Sequence, residues 1–299
     1  MPCYHPLKGW HQAGTKAITF KYNDSIGIPM SVPCGQCLGC RLKKSRTWAL
    51  RCMHEAQSNQ QNSFITLTYS PENLPKNNTL IKSDFQKFMK RLRKKTKQKI
   101  KYYHCGEYGE TNLRPHYHAI LFNKKFEDEK WIPGIPQNLK VSKELETTWD
   151  NGFSTIGSVT FNSAAYVSRY ILKKQNGQYA QRKDPTTGIR PYERIDIDGV
   201  LQEEQVLPEY TTMSNGIGKE WFLKYGKQAY YNDFTTLDGK KHPLPQYYDN
   251  LMYEIQPAYM AAIKEIRMEG FDPSEFTPER LAAKKKVAQA RMSNYKRNL

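Results

Sequence analysis

The chain has 299 residues, 38% of them hydrophobic, with 46 Lys and Arg against 29 Asp and Glu and a net charge of +17. That length allows one large domain or two modest ones with a real core, and the basic excess favours a polyanionic partner, because counterion release drives nucleic-acid binding. No apolar run approaches a membrane span, and the start, Met1-Pro-Cys-Tyr-His-Pro6, lacks a signal's charged head and apolar core. A cytosolic protein with reduced thiols and no membrane partner is expected.

Residues 1–62 form a Cys-rich N-terminal segment. Cys34-Gly-Gln-Cys37-Leu-Gly-Cys40 spaces its thiols as a zinc knuckle does, with Cys52 or His54 as candidates for the fourth ligand of a structural Zn²⁺. An iron–sulfur run would need a cysteine near position 44, where Lys44 stands. Reduced, partly buried structural cysteines are the alternative. Arg41 to Gln57 reads as a helix.

Residues 63–176 carry the regular pattern. Phe64-Ile-Thr-Leu-Thr-Tyr69 is β-branched and aromatic, ends at Ser70-Pro71, and reads as a strand. Ser83 with Gln86 matches a capping box. Phe85, Phe88, Met89 and Leu92 follow at helical spacing. The other face of that helix holds Lys87, Lys90, Arg91, Lys94 and Lys95, and suits phosphate tracking along residues 82–99. Ile100 to Cys105 and Tyr117 to Phe122 read as strands, Ser142 to Trp149 as a helix, and Phe153 to Phe161 as a fourth strand. Strand, helix, strand, strand, helix, strand is the split β-α-β order of an α+β, ferredoxin-like or RRM-like antiparallel sheet, with the third strand in its middle region.

That third strand holds Arg114-Pro-His-Tyr-His118. Side chains two apart on a strand share a face, so His116 and His118 project together. On its own the pair would suit a wet sheet face, though two imidazoles side by side can also hold a divalent ion. Glu107, at the edge of the adjacent strand, can add an oxygen ligand, with Glu110 in reserve. Two imidazoles and a carboxylate suit Mg²⁺ or Mn²⁺, the nitrogens favouring Mn²⁺. Asn162 and Ser163 can cap a helix over 164–174. Its apolar stripe is Ala164, Val167 and Ile171, and Tyr166, Tyr170 and Lys173 group on another face. Tyrosine is a poor nucleophile, with a pKa of about 10. Beside a metal-bound phosphate and Lys173 or Lys174, its phenolate becomes accessible and can form a covalent phosphotyrosine.

Residues 177–299 form an extension. It contains the turn-rich 177–199, a tight turn at Leu237-Asp-Gly-Lys240, a helix entry at Asn215-Gly-Ile-Gly-Lys219, and a basic helical tail with Lys284-Lys-Lys286. No G-x-x-x-x-G-K-[ST] loop occurs, which argues against a built-in helicase.

The segments Phe64-Ile-Thr-Leu-Thr68, Arg114-Pro-His-Tyr-His118 and Tyr166-Val-Ser-Arg-Tyr-Ile-Leu-Lys173 together resemble the three motifs of the HUH endonuclease superfamily. With Pro33–Cys40 and Arg51-Cys-Met-His-Glu55, the chain closely resembles the replication initiators of small single-stranded DNA phages, microviruses of the gokushovirus branch. The resemblance implies rolling-circle replication. Tyr166 and Tyr170 would cut and rejoin one strand through a 5′-phosphotyrosine, with Lys173 and Lys174 alongside. His116, His118 and Glu107 would hold the ion, and Arg114 and Arg169 would join the helix basic residues on the DNA. Arg169 stands where many relatives carry Lys, leaving open which tyrosine cuts first. The implied partners are single-stranded DNA, replicative-form origin DNA, a host helicase and a host DNA polymerase, in the host cytoplasm. A relaxase or transposase with the same chemistry is the near alternative. A non-catalytic, zinc-stabilised nucleic-acid binder is the distant one, and the RNA-type recognition signature is absent.

Overall fold

A computed structural model describes residues 2–11, 17–21, 29–109, 112–134, 136, 138–173, 178–195, 198–202 and 204–295. In chain order the elements are β1 (Leu7–His11), β2 (Ile18–Thr19), β3 (Pro29–Val32), α1 (Leu38–Gln57), β4 (Asn62–Tyr69), α2 (Lys82–Thr96), β5 (Lys101–Tyr108), β6 (Pro115–Phe122), α3 (Lys143–Trp149), β7 (Gly152–Gly157) and α4 (Phe161–Lys173). Then follow α5 (Gln178–Gln181), β8 (Tyr210–Met213), α6 (Lys219–Asn232), β9 (Phe234–Leu237), β10 (Lys240–Pro243), α7 (Gln246–Ile255), α8 (Pro257–Glu269) and α9 (Pro278–Tyr295). The chain divides into two compact units: Arg46–Gln256, and Met1–Ser45 together with Pro257–Leu299.

The larger unit is built on a five-stranded antiparallel sheet in the order β7-β4-β6-β5-β8. Its first four strands follow the split β-α-β order expected from the sequence, with β6 between β4 and β5. β8 pairs with β5 along Tyr103 to Gly106, an addition that the sequence pattern did not reveal.

Alternation along β4 and β6 divides their side chains between two buried faces. On one, Ile65, Leu67, Tyr69, Tyr117, Ala119 and Leu121 join Phe85, Phe88, Met89 and Leu92 of α2 and Leu145 and Trp149 of α3. On the other, Phe64, Ile120 and Phe122 meet Ala49 and Cys52 of α1 and Ala164, Val167 and Tyr166 of α4. β6 is therefore apolar on both sides, and the histidines interrupt only one of them. Burying each large side chain contributes about 1.5–3 kcal/mol, so this strand is firmly held.

Local signals explain the element ends, with some corrections. Ser142 caps α3, its hydroxyl accepting from Leu145 N. The Ser83 capping box does not form: α2 begins at Lys82 after Ile81, without a side-chain cap. The fourth strand ends at Gly157 rather than 161, and α4 starts earlier than expected. Thr160 and Ser163 cap α4 reciprocally, through Thr160 N to Ser163 Oγ at 2.8 Å and Ser163 N to Thr160 Oγ1 at 3.1 Å. β9 and β10 form the hairpin expected at Leu237–Lys240, with Asp238 and Gly239 both at positive φ.

Candidate functional site

β6 presents His116 and His118 on the face covered by α1 and α4. Register places His116 opposite Thr68 of β4 and Glu107 of β5, and His118 opposite Thr66 and Cys105. The threonines fix both rings. Thr68 Oγ1 lies 2.9 Å from His116 Nδ1, and Thr66 Oγ1 lies 3.0 Å from His118 Nδ1. With each Nδ1 engaged, each Nε2 is the nitrogen left to bind something else. For His118 that partner is Glu107, whose Oε1 lies 2.7 Å from Nε2, both groups being buried. His116 Nε2 points toward Gly109, where an added Cβ would stand 3.0 Å from it. Burial, with His118 and Arg114 nearby, pushes His116 down to about 4, so it is neutral and ligand-ready at physiological pH.

Tyr166, in the second turn of α4, is half-buried over this face. Its ring meets His118 edge-on at 5.1 Å between centroids and Phe64 edge-on at 6.4 Å. Its hydroxyl makes a long 3.4 Å contact with Glu107 Oε1, the oxygen that also holds His118. The carboxylate thus joins the imidazole and the phenol.

The structure brings together His116, His118, Glu107 and Tyr166. Lys174 and Glu110 lie outside the described residues, as do the side chains of Arg169, Tyr170 and Lys173. Lys87, Lys90 and Lys94 are exposed on α2, which covers the opposite face of the sheet. Arg91 is committed locally: its guanidinium donates to the Thr148 and Trp149 carbonyls and to Asp150 at the end of α3. Arg114 donates to the Tyr69 carbonyl at 3.1 Å.

The cysteine expectation needs one correction. Cys3, Cys34, Cys37 and Cys40 bring their sulfurs within 4.8 Å of one another and could hold a metal ion such as zinc. Cys52 is not the fourth ligand, because it sits further along α1 in the apolar cluster with Ala49 and Tyr103. Nor is His54, which stacks on Trp221 at 3.5 Å and bonds Tyr248 through Nδ1. Among the described residues, this is the group of three or more ligand-type side chains at such mutual distances; His116, His118 and Glu107 are spread more widely.

Sequence reasoning missed Thr66 and Thr68 as the residues that orient the histidines. A signal existed: they alternate at the same period as His116 and His118, so any antiparallel pairing in that register sets them side by side.

A family model described as replication-associated protein ORF2/G2P matches residues 62–175, the stretch from β4 through α4 that carries this site. Replication-associated protein ORF2 of Spiroplasma virus 4 is 32% identical over 278 residues, covering 84% of this chain and 80% of that protein. The chain belongs to the family of phage replication-associated proteins. Replication-associated protein VP4 of Bdellovibrio phage phiMH2K is 31% identical, over 84% of this chain and 76% of its own length. Replication-associated protein ORF4 of Chlamydia phage 1 is 27% identical over 83% of this chain and 57% of its own. No solved structure matches the chain. Among the described residues, no helix of this replication-associated protein is long and apolar enough to cross a membrane.

Proposed function

We propose that this replication-associated protein is a replication initiator of the HUH type: an origin-specific single-strand DNA endonuclease and strand transferase working through a 5′-phosphotyrosine. One observation carries the reading. The phenol of Tyr166 and Nε2 of His118 meet at one oxygen, Oε1 of Glu107, over the central strands of the sheet. Three residue types that this chemistry needs are thereby within reach of one phosphate.

A Mg²⁺ or Mn²⁺ held by His116, His118 and Glu107 would polarise the phosphodiester and shield its growing charge. Two of the donors suit such an ion: adjacent ligands of an octahedral cation at about 2.1 Å stand about 3 Å apart, close to the 2.7 Å between Glu107 and His118, and His116 would have to be drawn in to join them.

The remaining work belongs to the chain itself. Glu107 accepts from the Tyr166 hydroxyl and is placed to take its proton. The phenol oxygen attacks phosphorus, the bond from phosphorus to O3′ breaks, and the 3′ oxygen leaves as a hydroxyl by taking up the proton that Glu107 removed from the phenol. The 5′ end stays on tyrosine as a phosphoester, so one ester replaces another and no ATP is consumed. Tyr170, four residues on from Tyr166, is the second nucleophile for the closing exchange, and Lys173 and Lys174, which follow it in the sequence, assist. Single-stranded DNA and replicative-form origin DNA are the substrates, Arg114 and Arg169 helping to hold the strand. A host helicase opens the duplex, a host polymerase extends the 3′ hydroxyl, and the reaction runs in the host cytoplasm. The catalytic core is 63–176, flanked by the segments 1–62 and 177–299.

The test mixes purified full-length protein with 5′-labelled and 3′-labelled single-stranded origin DNA and Mn²⁺, followed by a denaturing gel. A covalent adduct carrying the 3′-labelled fragment, lost in the double variant Tyr166→Phe, Tyr170→Phe, is expected. An unchanged adduct in that variant would overturn the nucleophile assignment. Equal nicking of plasmids with and without the phage origin would favour a less selective strand transferase.

A further inference from the structure

We infer that Cys3, Cys34, Cys37 and Cys40 form a structural tetrathiolate site for one Zn²⁺, with the cysteine nearest the chain's start as its fourth ligand. The site clasps both ends of the small N-terminal sheet. This inference stands apart from the endonuclease reading and uses none of its residues.

The geometry is that of a tetrahedron. Zinc bound to four thiolates at about 2.3 Å spaces its sulfurs about 3.8 Å apart. Cys3 Sγ lies 3.5 Å from Cys34 Sγ and 3.8 Å from Cys37 Sγ, and all four sulfurs fall within 4.8 Å of one another. A disulfide would need a separation of about 2.05 Å, and all four are free thiols.

The backbone is arranged for sulfur carrying negative charge. Cys34 N approaches Cys3 Sγ at 3.2 Å, Tyr4 N approaches Cys37 Sγ at 3.3 Å, and Cys37 N approaches Cys34 Sγ at 3.3 Å. Amide donors aimed at thiolates offset their charge as a cap offsets a carboxylate's. Two glycines make the cradle possible. Gly35, at φ +72°, turns the chain between the first two ligands of the knuckle. At Gly39 any Cβ would overlap the Pro2 carbonyl oxygen, so only glycine lets the chain's start come close enough to deliver Cys3.

The surroundings explain why a metal is needed. β1 pairs with β2 and β3, with burial confined almost entirely to Gly9. Leu7, Ile18, Phe20 and Met30 remain exposed. A three-stranded sheet without a buried face is not stable alone. Cys3 precedes β1 and Cys34 follows β3, so one ion ties the sheet's two ends to the first turn of α1. Small units with too little core use metal or disulfides in this way.

The test measures metal in full-length protein purified without chelators. About one zinc per chain is expected in the wild type and in Cys52→Ser, with most of it lost in Cys3→Ser. Retention in Cys3→Ser, loss in Cys52→Ser, or iron in place of zinc would each overturn the assignment. Should Cys3→Ser fail to fold, the wild type decides. Removing zinc with a chelator should release about four fast-reacting thiols and expose the N-terminal residues to limited proteolysis. Thiol reactivity unchanged by the chelator would contradict the site.

Discussion

Thr66→Val and Thr68→Val each remove the hydroxyl that anchors one histidine of the proposed metal site while keeping the β-branched shape the strand requires. His118 is buried and His116 half-buried. An Nδ1 left without its hydroxyl partner, 3.0 Å away for His118 and 2.9 Å for His116, costs about 1–3 kcal/mol. A freed ring can also turn or change tautomer, so its Nε2 no longer faces the ion. Loss of such an outer partner typically weakens metal binding ~10–100-fold, or about 1.4–2.7 kcal/mol, the same range as the lost bond. Thr66→Val should have the larger effect, because its histidine is the one joined to Glu107. Calorimetric titration of full-length protein with Mn²⁺ reads the affinity directly, and nicking rates at limiting and saturating Mn²⁺ separate binding from chemistry. The expected pattern is a weaker Kd with nicking largely restored at saturation. Wild-type affinity in both variants would refute the argument that these hydroxyls position the ligands.

Acid should destabilise the fold before its carboxylates titrate. Burial above all, with His242 near His54 and with His118 and Arg114 near His116, pushes His54 down to about 3 and His116 down to about 4, and burial with His118 nearby moves His104 the same way. The unfolded chain takes up these protons near pH ~6.5 and the folded chain does not, so Tm should fall as pH drops through 6.5 toward about 4. A flat Tm over that window would contradict the buried, neutral histidines. Gly152→Ala should cost at least about 2 kcal/mol in urea unfolding, since Gly152 sits at φ +146° and a Cβ there would overlap the Ser70 amide; a smaller loss would mean that the β4–β7 junction gives way. Arg91→Ala should lower stability by about 1–3 kcal/mol through its lost bonds to the end of α3. Replacing Lys87, Lys90 and Lys94 together by Ala should change nicking of a short strand by less than about two-fold, because α2 lies across the sheet from the histidines. A ten-fold loss would mean that the strand reaches that face.

The site could be read from the sequence where period and chemistry coincide. The His116–His118 spacing on a strand fixes a shared face, and the split β-α-β order puts β6 in the middle. Which face each helix covers was not visible in any one segment. The basic stripe of α2 marks it as amphipathic without saying on which side of the sheet it lies. Right-handed crossovers through α2 and α3 place both on one face and leave the other to the histidines and α4. β8 was missed because Tyr210–Met213 is short and follows a long polar stretch. Cys3 was missed as a ligand because 31 residues separate it from Cys34 in sequence, and only the pairing of β1 with β3 closes that gap.

The most direct test of the account is an anomalous difference map from crystals of the full-length protein grown with Mn²⁺. The account predicts a peak about 2.1–2.3 Å from Nε2 of His118 and an oxygen of Glu107, with His116 Nε2 drawn in as a third ligand and the Tyr166 hydroxyl facing the ion's open side. Manganese absent from that face, or bound there with Tyr166 turned into the apolar contacts of α4, would contradict it.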